Sequence, residues 1–180
     1  PLIEGLRTYV DLWLCETQSL IEEPVRIKAL IDDLDSPSKP FWVAFTLEDS
    51  MPDDTPRLRS GEPVADAVKT MTDRGADAIL FNCCQPEVIG PAIQTTTEQL
   101  SSLGAEHVQI GAYANAFPPQ PKNAKANEGL TEFRDDLSPH SYLDWAQQWV
   151  KEGAGIIGGC CGIGPEHIAL LSEKLGPAAG

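Results

Sequence analysis

The stretch Ala78-Ile79-Leu80-Phe81-Asn82-Cys83-Cys84 decides how the rest of the chain is read. Its first four residues are apolar at consecutive positions, so a strand built from them is buried on both faces, as in a parallel sheet covered by helices. The residues that follow are polar or able to hold a metal, so this strand ends on chemistry. The same kind of run recurs as Tyr9-Val10-Asp11-Leu12-Trp13-Leu14, Phe41-Trp42-Val43-Ala44-Phe45, Val108-Gln109-Ile110-Gly111-Ala112-Tyr113 and Ala154-Gly155-Ile156-Ile157.

Amphipathic stretches separate these runs. Ile27, Leu30, Ile31 and Leu34 recur at helical spacing after Pro24, which suits a first turn. Val64, Val68 and Met71 do the same between Pro63 and a stop at Gly75. Ile89, Ile93, Leu100 and Leu103 make a third face, ending before Gly104. Ser138-Pro139 reads as N-cap and first turn for Tyr142, Trp145 and Trp149. Gly164-Pro165-Glu166 opens a last helix carrying Ile168, Leu171 and Leu175. These stripes are core faces. The order is βα repeated five times, an α/β chain with a parallel sheet. Periodicity alone fits both a doubly wound open sheet and a (β/α)8 barrel. No G-x-G-x-x-G follows the first strand, which argues against a dinucleotide-binding fold. The long polar segments 48–60 and 115–137 each follow a strand, where barrel enzymes carry their active-site loops.

Charge and composition narrow the partners. With 13 basic against 27 acidic side chains the net charge is −14, which repels phosphate backbones and anionic lipid. Neither nucleic acid nor a membrane is therefore an expected partner, and no run approaches the roughly 20 apolar residues of a membrane span. Pro1-Leu2-Ile3-Glu4-Gly5 has no basic start and reads as a cut within a longer chain rather than a signal peptide. Residues 1–180 read as one domain. The cysteines are Cys15, Cys83, Cys84, Cys160 and Cys161. An odd number in adjacent pairs is unlike the spread framework of a secreted disulfide domain, so free thiols in the cytoplasm are expected.

The five strand ends carry Cys15-Glu16-Thr17, Thr46, Asn82-Cys83-Cys84, Tyr113 with Asn115, and Gly158-Gly159-Cys160-Cys161-Gly162. In a parallel sheet these ends share one rim. Cys83, Cys160 and Cys161 are accordingly predicted as three thiolate ligands of zinc, leaving one of four tetrahedral positions open. Neighbouring residues of a regular strand point to opposite sides, and Gly158, Gly159 and Gly162 give the backbone freedom to bring both sulfurs to one ion. No C-x-x-C knuckle is present, which argues against a structural zinc ribbon. A vicinal disulfide or an iron–sulfur cluster is the alternative for Cys160 and Cys161. Cys15 and Cys84 are read as small hydrophobes. His107 and His140 receive no role, and His167 is expected on a helix surface or behind the site.

The run Gly158-Gly159-Cys160-Cys161-Gly162, with Gly164-Pro165-Glu166-His167-Ile168 after it, resembles the signature of the homocysteine S-methyltransferases. Asn82-Cys83 resembles that family's Asn-Cys pair and Glu16-Thr17 its Glu-Thr pair, in order and across essentially the whole chain. Leu80-Phe81 and Cys84 depart from the family's usual residues. The resemblance implies a (β/α)8 TIM barrel of which this chain holds about strands 4–8, the first three units being absent. It implies zinc (Zn2+) on Cys83, Cys160 and Cys161, Glu16 on the ammonium of homocysteine, Asn82 shaping the substrate pocket, and Tyr113 with Asn115 toward the methyl donor. The implied activity moves a methyl group from a small cationic donor to the homocysteine thiol, giving methionine, with S-methylmethionine or S-adenosylmethionine as the expected donor. The alternatives are a betaine–homocysteine methyltransferase, the homocysteine-activating module of a cobalamin-dependent methionine synthase and, in another class, a non-catalytic zinc- or thiol-sensing protein. Five units cannot close an eight-stranded barrel, so an oligomer-prone chain, inactive by itself, is expected.

Overall fold

The computed structural model describes residues 1–35, 39–50, 55–119 and 132–176. Within the two long polar segments, residues 51–54 and 120–131 lie outside the described residues, Pro121 among them, as does Pro177 after the last helix. Five strands alternate with helices: β1 Trp13–Gln18, β2 Phe41–Phe45, β3 Ala78–Asn82, β4 Gln109–Tyr113 and β5 Ile156–Ile157. The helices are α1 Leu2–Leu6, α2 Glu22–Leu34, α3 Val64–Asp73, α4 Pro86–Ser102, α5 Pro139–Glu152 and α6 Pro165–Leu175.

All pairings are parallel and the sheet order is β1-β2-β3-β4-β5. The order never reverses, so the sheet has none of the switch points that define a doubly wound fold. Side chains alternate across it. Phe41, Val43, Phe45, Ile79, Phe81, Ile110 and Ala112 join Val68, Met71, Ile89, Ile93, Tyr142, Trp149 and Leu171 in one core, which places the helices on that face. Ala44, Ala78 and Leu80 form a second, smaller cluster on the other face, with Trp42, Tyr113 and Ile156 against it. Each large aliphatic or aromatic side chain buried this way contributes about 1.5–3 kcal/mol.

The helices begin where local chemistry allows. Ser138 accepts the Ser141 N–H on its hydroxyl at 3.3 Å, and Pro139 and Pro165 occupy first helical positions that need no donor. Pro91 lies inside α4, where it has no N–H to give to the Glu87 carbonyl four residues earlier. The chief departure from expectation is at the N-terminus. The first strand was expected over Tyr9-Val10-Asp11-Leu12-Trp13-Leu14, but pairing starts at Trp13, opposite Phe41. Tyr9 closes a turn on the short helix α1 through its N–H to the Leu6 carbonyl, and its side chain is exposed. The apolar pattern of residues 9–12 thus belongs to a helix end and connection. The strand ends otherwise fall within two residues of expectation. Among the described residues no helix is long and apolar enough to cross a membrane.

Candidate metal centre

The C-terminal ends of β3 and β5 bring three sulfurs together. Those of Cys83, Cys160 and Cys161 all lie within 4.8 Å of one another, and the Cys160–Cys161 separation is 3.8 Å. Four ligands at the usual zinc–sulfur distance of about 2.3 Å stand about 3.8 Å apart along a tetrahedral edge. The donor set therefore fits a tetrahedral thiophilic ion held by three protein ligands.

Two departures from strand geometry produce the cluster. Regular alternation after Phe81 and Asn82 would send Cys83 into the helix-facing core. Its φ of 55° breaks the alternation, keeping its sulfur half-buried at the rim while Cys84 turns into the core. After β5 the chain makes a tight turn, in which the Ile163 N–H donates to the Cys160 carbonyl at 3.1 Å and Gly162 sits at φ 80°. A side chain at Gly162 would also meet Phe133 and Ala116 at under 3 Å, and one at Gly159 would lie 2.2 Å from Ile163. The glycines around the cysteine pair are thus sterically required as well as permissive.

Hydrogen bonds tie this turn to its neighbours. Cys160 N–H donates to the Ala114 carbonyl at 2.9 Å, and Ala116 N–H to that of Cys161 at 2.8 Å. Asn115 Nδ2 donates to Cys83 Sγ at 3.8 Å, while its Oδ1 accepts from Phe117 N–H at 3.1 Å and Gln85 Nε2 at 3.5 Å. The Cys160 thiol donates to Cys161 Sγ at 3.8 Å and also lies within 4.8 Å of Cys83 Sγ. The adjoining Cys160 thiol, helped by Asn115 and Cys161 and opposed by burial, brings Cys83 down to about 6, and the closeness of Cys83 drives Cys160 well above the ordinary range.

The other anticipated residues border it. Tyr113 Oη donates to Glu16 Oε1 at 3.2 Å, with Glu16 exposed. Burial first, then Glu16 and the two nearby cysteines, push the Tyr113 hydroxyl far up, so it remains a neutral donor. Asn82 is fully buried. Its Nδ2 donates to Thr17 Oγ1 at 2.8 Å, and its Oδ1 has no partner among the described residues. Thr17 adopts φ 57° at a break in the β1–β2 register, an arrangement costing about 1–3 kcal/mol for a branched residue and common at functional sites. Cys15 and Cys84 are both buried apolar-core members, as expected. His167 is buried rather than on a surface: its Nδ1 accepts from Gly164 N–H at 3.2 Å and its Nε2 contacts the Leu137 carbonyl at 3.0 Å.

Several supporting residues gave no usable sequence signal. Asp49, almost wholly enclosed, pairs with Arg59 at 3.2 Å and accepts from Gln85 N–H at 3.2 Å, bracing the loop beside Cys83. Thr46, by contrast, stood out in the sequence as a strand-end polar residue, and its Oγ1 donates to the Cys83 carbonyl at 3.2 Å. Arg134 joins Gln85, Glu87 and Asp136 and pins the chain leading into α5. An acid and a base ten residues apart in a polar loop carry no pattern of their own. Tyr142 was legible only as a core position.

Comparison with known proteins places the chain. The family profile described as homocysteine S-methyltransferase matches residues 2–175, and the chain belongs to that family. Betaine--homocysteine S-methyltransferase 1 of Pongo abelii is 30% identical over 129 residues, covering 67% of this chain and 31% of the relative. S-methylmethionine--homocysteine S-methyltransferase BHMT2 of the same organism is 28% identical over 178 residues, covering 95% and 46%. The metallated form of the homocysteine methyltransferase MmuM from Escherichia coli superposes with a TM-score of 0.65 at 26% identity, covering 96% of this chain and 48% of that one. The chain spans about half the length, or less, of the relatives it matches.

Proposed function

We propose that this chain is the thiol-activating portion of a zinc-dependent homocysteine S-methyltransferase, built as five consecutive βα units of a (β/α)8 barrel. The single observation that carries the reading is the three-sulfur cluster at the ends of β3 and β5, spaced for one tetrahedral ion with a position to spare. The unreversed strand order, with helices on one face and a small apolar cluster on the other, supports the barrel.

Zinc bound there supplies a Lewis-acidic open position at which a thiol is held deprotonated near neutral pH. Cys83, Cys160 and Cys161 are its ligands, and the Asn115 amide, donating to Cys83, fixes that sulfur's direction. Glu16, steadied by the Tyr113 hydroxyl, receives the ammonium of homocysteine. The unpartnered Asn82 Oδ1 offers a buried acceptor at the same rim. In the transfer, the homocysteine sulfur forms a bond to the donor's methyl carbon, and the electron pair of the broken bond leaves with the donor, which loses its positive charge. No general base is needed at that moment. A sulfonium donor of the S-methylmethionine or S-adenosylmethionine kind is the reading we favour, and side-by-side assay with betaine separates the donors.

The test is zinc stoichiometry with X-ray absorption at the metal before and after homocysteine. The expected result is one zinc per chain whose sulfur count rises from three to four. A chain that binds no zinc, or a count that homocysteine leaves unchanged, overturns the assignment.

A further inference from the structure

Gly158 N–H donates to the Ala112 carbonyl at 3.0 Å, and Cys160 N–H to the Ala114 carbonyl at 2.9 Å. In a parallel ladder the rung between these two runs from Ala114 N–H to the Gly158 carbonyl. A side chain occupies that rung instead. The Tyr142 hydroxyl accepts from Ala114 N–H at 3.0 Å and donates to the Gly158 carbonyl at 2.9 Å. It thereby satisfies both backbone groups, and it also stands 3.5 Å from the Ala114 carbonyl.

The insertion falls two residues before Cys160 on one strand and between Tyr113 and Asn115 on the other. Tyr142 has little freedom to move. Its ring is fully buried, with Trp149 edge-on at 5.7 Å and His167 edge-on at 5.8 Å. His167 is itself bonded to Gly164 and Leu137, so the turn carrying the cysteine pair is held near both ends by this packed group. Burial also pushes the Tyr142 hydroxyl upward, which keeps it neutral and able to donate and accept at once.

We propose that Tyr142 is a positioning residue for the metal-binding thiols. Its hydroxyl, set where a backbone rung would close β4 on β5, fixes the strand separation at the base of the Cys160–Cys161 turn, and with it the span from those sulfurs to Cys83. The inference rests on the reading that the three thiols hold zinc.

The experiment compares the full wild-type chain with Tyr142→Phe, which keeps the ring and deletes the hydroxyl. Zinc affinity is measured by competition with a chromophoric chelator, and the thiolate-to-metal absorption bands are recorded with Co2+. Groups that orient metal ligands are worth roughly 10- to 100-fold in metal affinity, and a loss in that range with altered Co2+ bands is expected for Tyr142→Phe. Met71→Val, at a buried position of α3, controls for general destabilisation and leaves both readouts unchanged. Wild-type affinity and Co2+ bands in Tyr142→Phe overturn the inference while leaving the proposed function standing. A wild-type chain that binds neither metal removes both. Should Tyr142→Phe fail to fold, Trp149→Phe serves in its place. It retains the hydroxyl but loosens its aim, so a smaller weakening is expected and an unchanged affinity overturns the inference.

Discussion

At Cys84 the thiol is fully enclosed, and burial drives its pKa far above that of an ordinary cysteine. Cys15 is pushed up to about 11, by burial first and then by Glu23. Its neighbour in kind but not in setting, Cys83, comes down to about 6, chiefly through the adjoining Cys160 thiol. Since the lowered value lies below neutrality, Cys83 is mainly thiolate at pH 7.5 and becomes protonated as the pH falls through 6. The thiolate is the reactive form. Iodoacetamide on the native metal-free chain at pH 7.5 should therefore label Cys83 early and leave Cys15 and Cys84 unmodified, with Cys83 labelling slowing below pH 6. Zinc should protect Cys83, Cys160 and Cys161 together. Peptide mass spectrometry reads each site, and labelling of Cys84 as fast as Cys83 would contradict the burial argument. The distinction between the adjacent cysteines was half visible in sequence. Glycines beside Cys160 and Cys161 announced a backbone able to turn, but nothing around Cys83 announced its positive φ, which arises from the contacts of the folded rim.

At the scale of elements, strands whose residues are apolar on both faces were legible because burial on both faces demands it. β2 matches its expected span and β3 extends it by Asn82 alone. β1 was misplaced because Tyr9, Val10 and Leu12 look like strand residues, whereas the position of pairing depends on a partner far away in sequence. One such long-range tie is Asp35, at the end of α2. It accepts from Trp13 Nε1 at 2.8 Å and from Lys39 Nζ at 2.8 and 2.6 Å, linking the starts of β1 and β2. The Lys39 bond, then that of Trp13, hold its carboxyl below the usual value of 3.8. A carboxyl lowered on folding contributes stability that is fully present above its unfolded pKa and lost as pH falls through the folded one. Asp35→Asn should therefore melt at a lower temperature than wild type at pH 7, and the gap should narrow below about pH 4 as the wild-type carboxyl takes up its proton. Circular dichroism melts from pH 7 to pH 3 check this. A gap that stays constant across that range would show that the Asp35 charge is not what joins the two strands. The connection could not be read in advance, since Trp13, Asp35 and Lys39 follow no periodic pattern.

For the whole molecule, the sheet is open. β1 pairs only with β2 and β5 only with β4, so among the described residues two strand edges present unpaired backbone groups. β5 offers little, being two residues long, but β1 has six. Beside that edge, Leu14 and Leu20 are more than a third exposed, and the Leu2 and Leu6 side chains of α1 are exposed as well. Such an edge is a template for another chain, and proteins that keep one usually guard it with lysine, proline or a bulge. Here the register break at Thr17 twists only the end of β1, leaving Trp13, Leu14 and Cys15 regular. Against association stands the net charge of −14, whose mutual repulsion weakens as salt shortens the screening length from roughly 14 Å to roughly 4 Å. The two effects have opposite salt dependence. If edge pairing and apolar contact drive association, these 180 residues should form dimers or larger species in sedimentation velocity at micromolar concentration, more so at 0.5 M than at 0.05 M salt, both concentrations chosen as roughly spanning the screening range. Leu14→Lys, which places a charge on the edge without touching the helix-facing core, should return the chain toward monomer. A wild-type chain that stays monomeric at both salt concentrations would mean the β1 edge is protected in solution, and the open-sheet argument for association would fall.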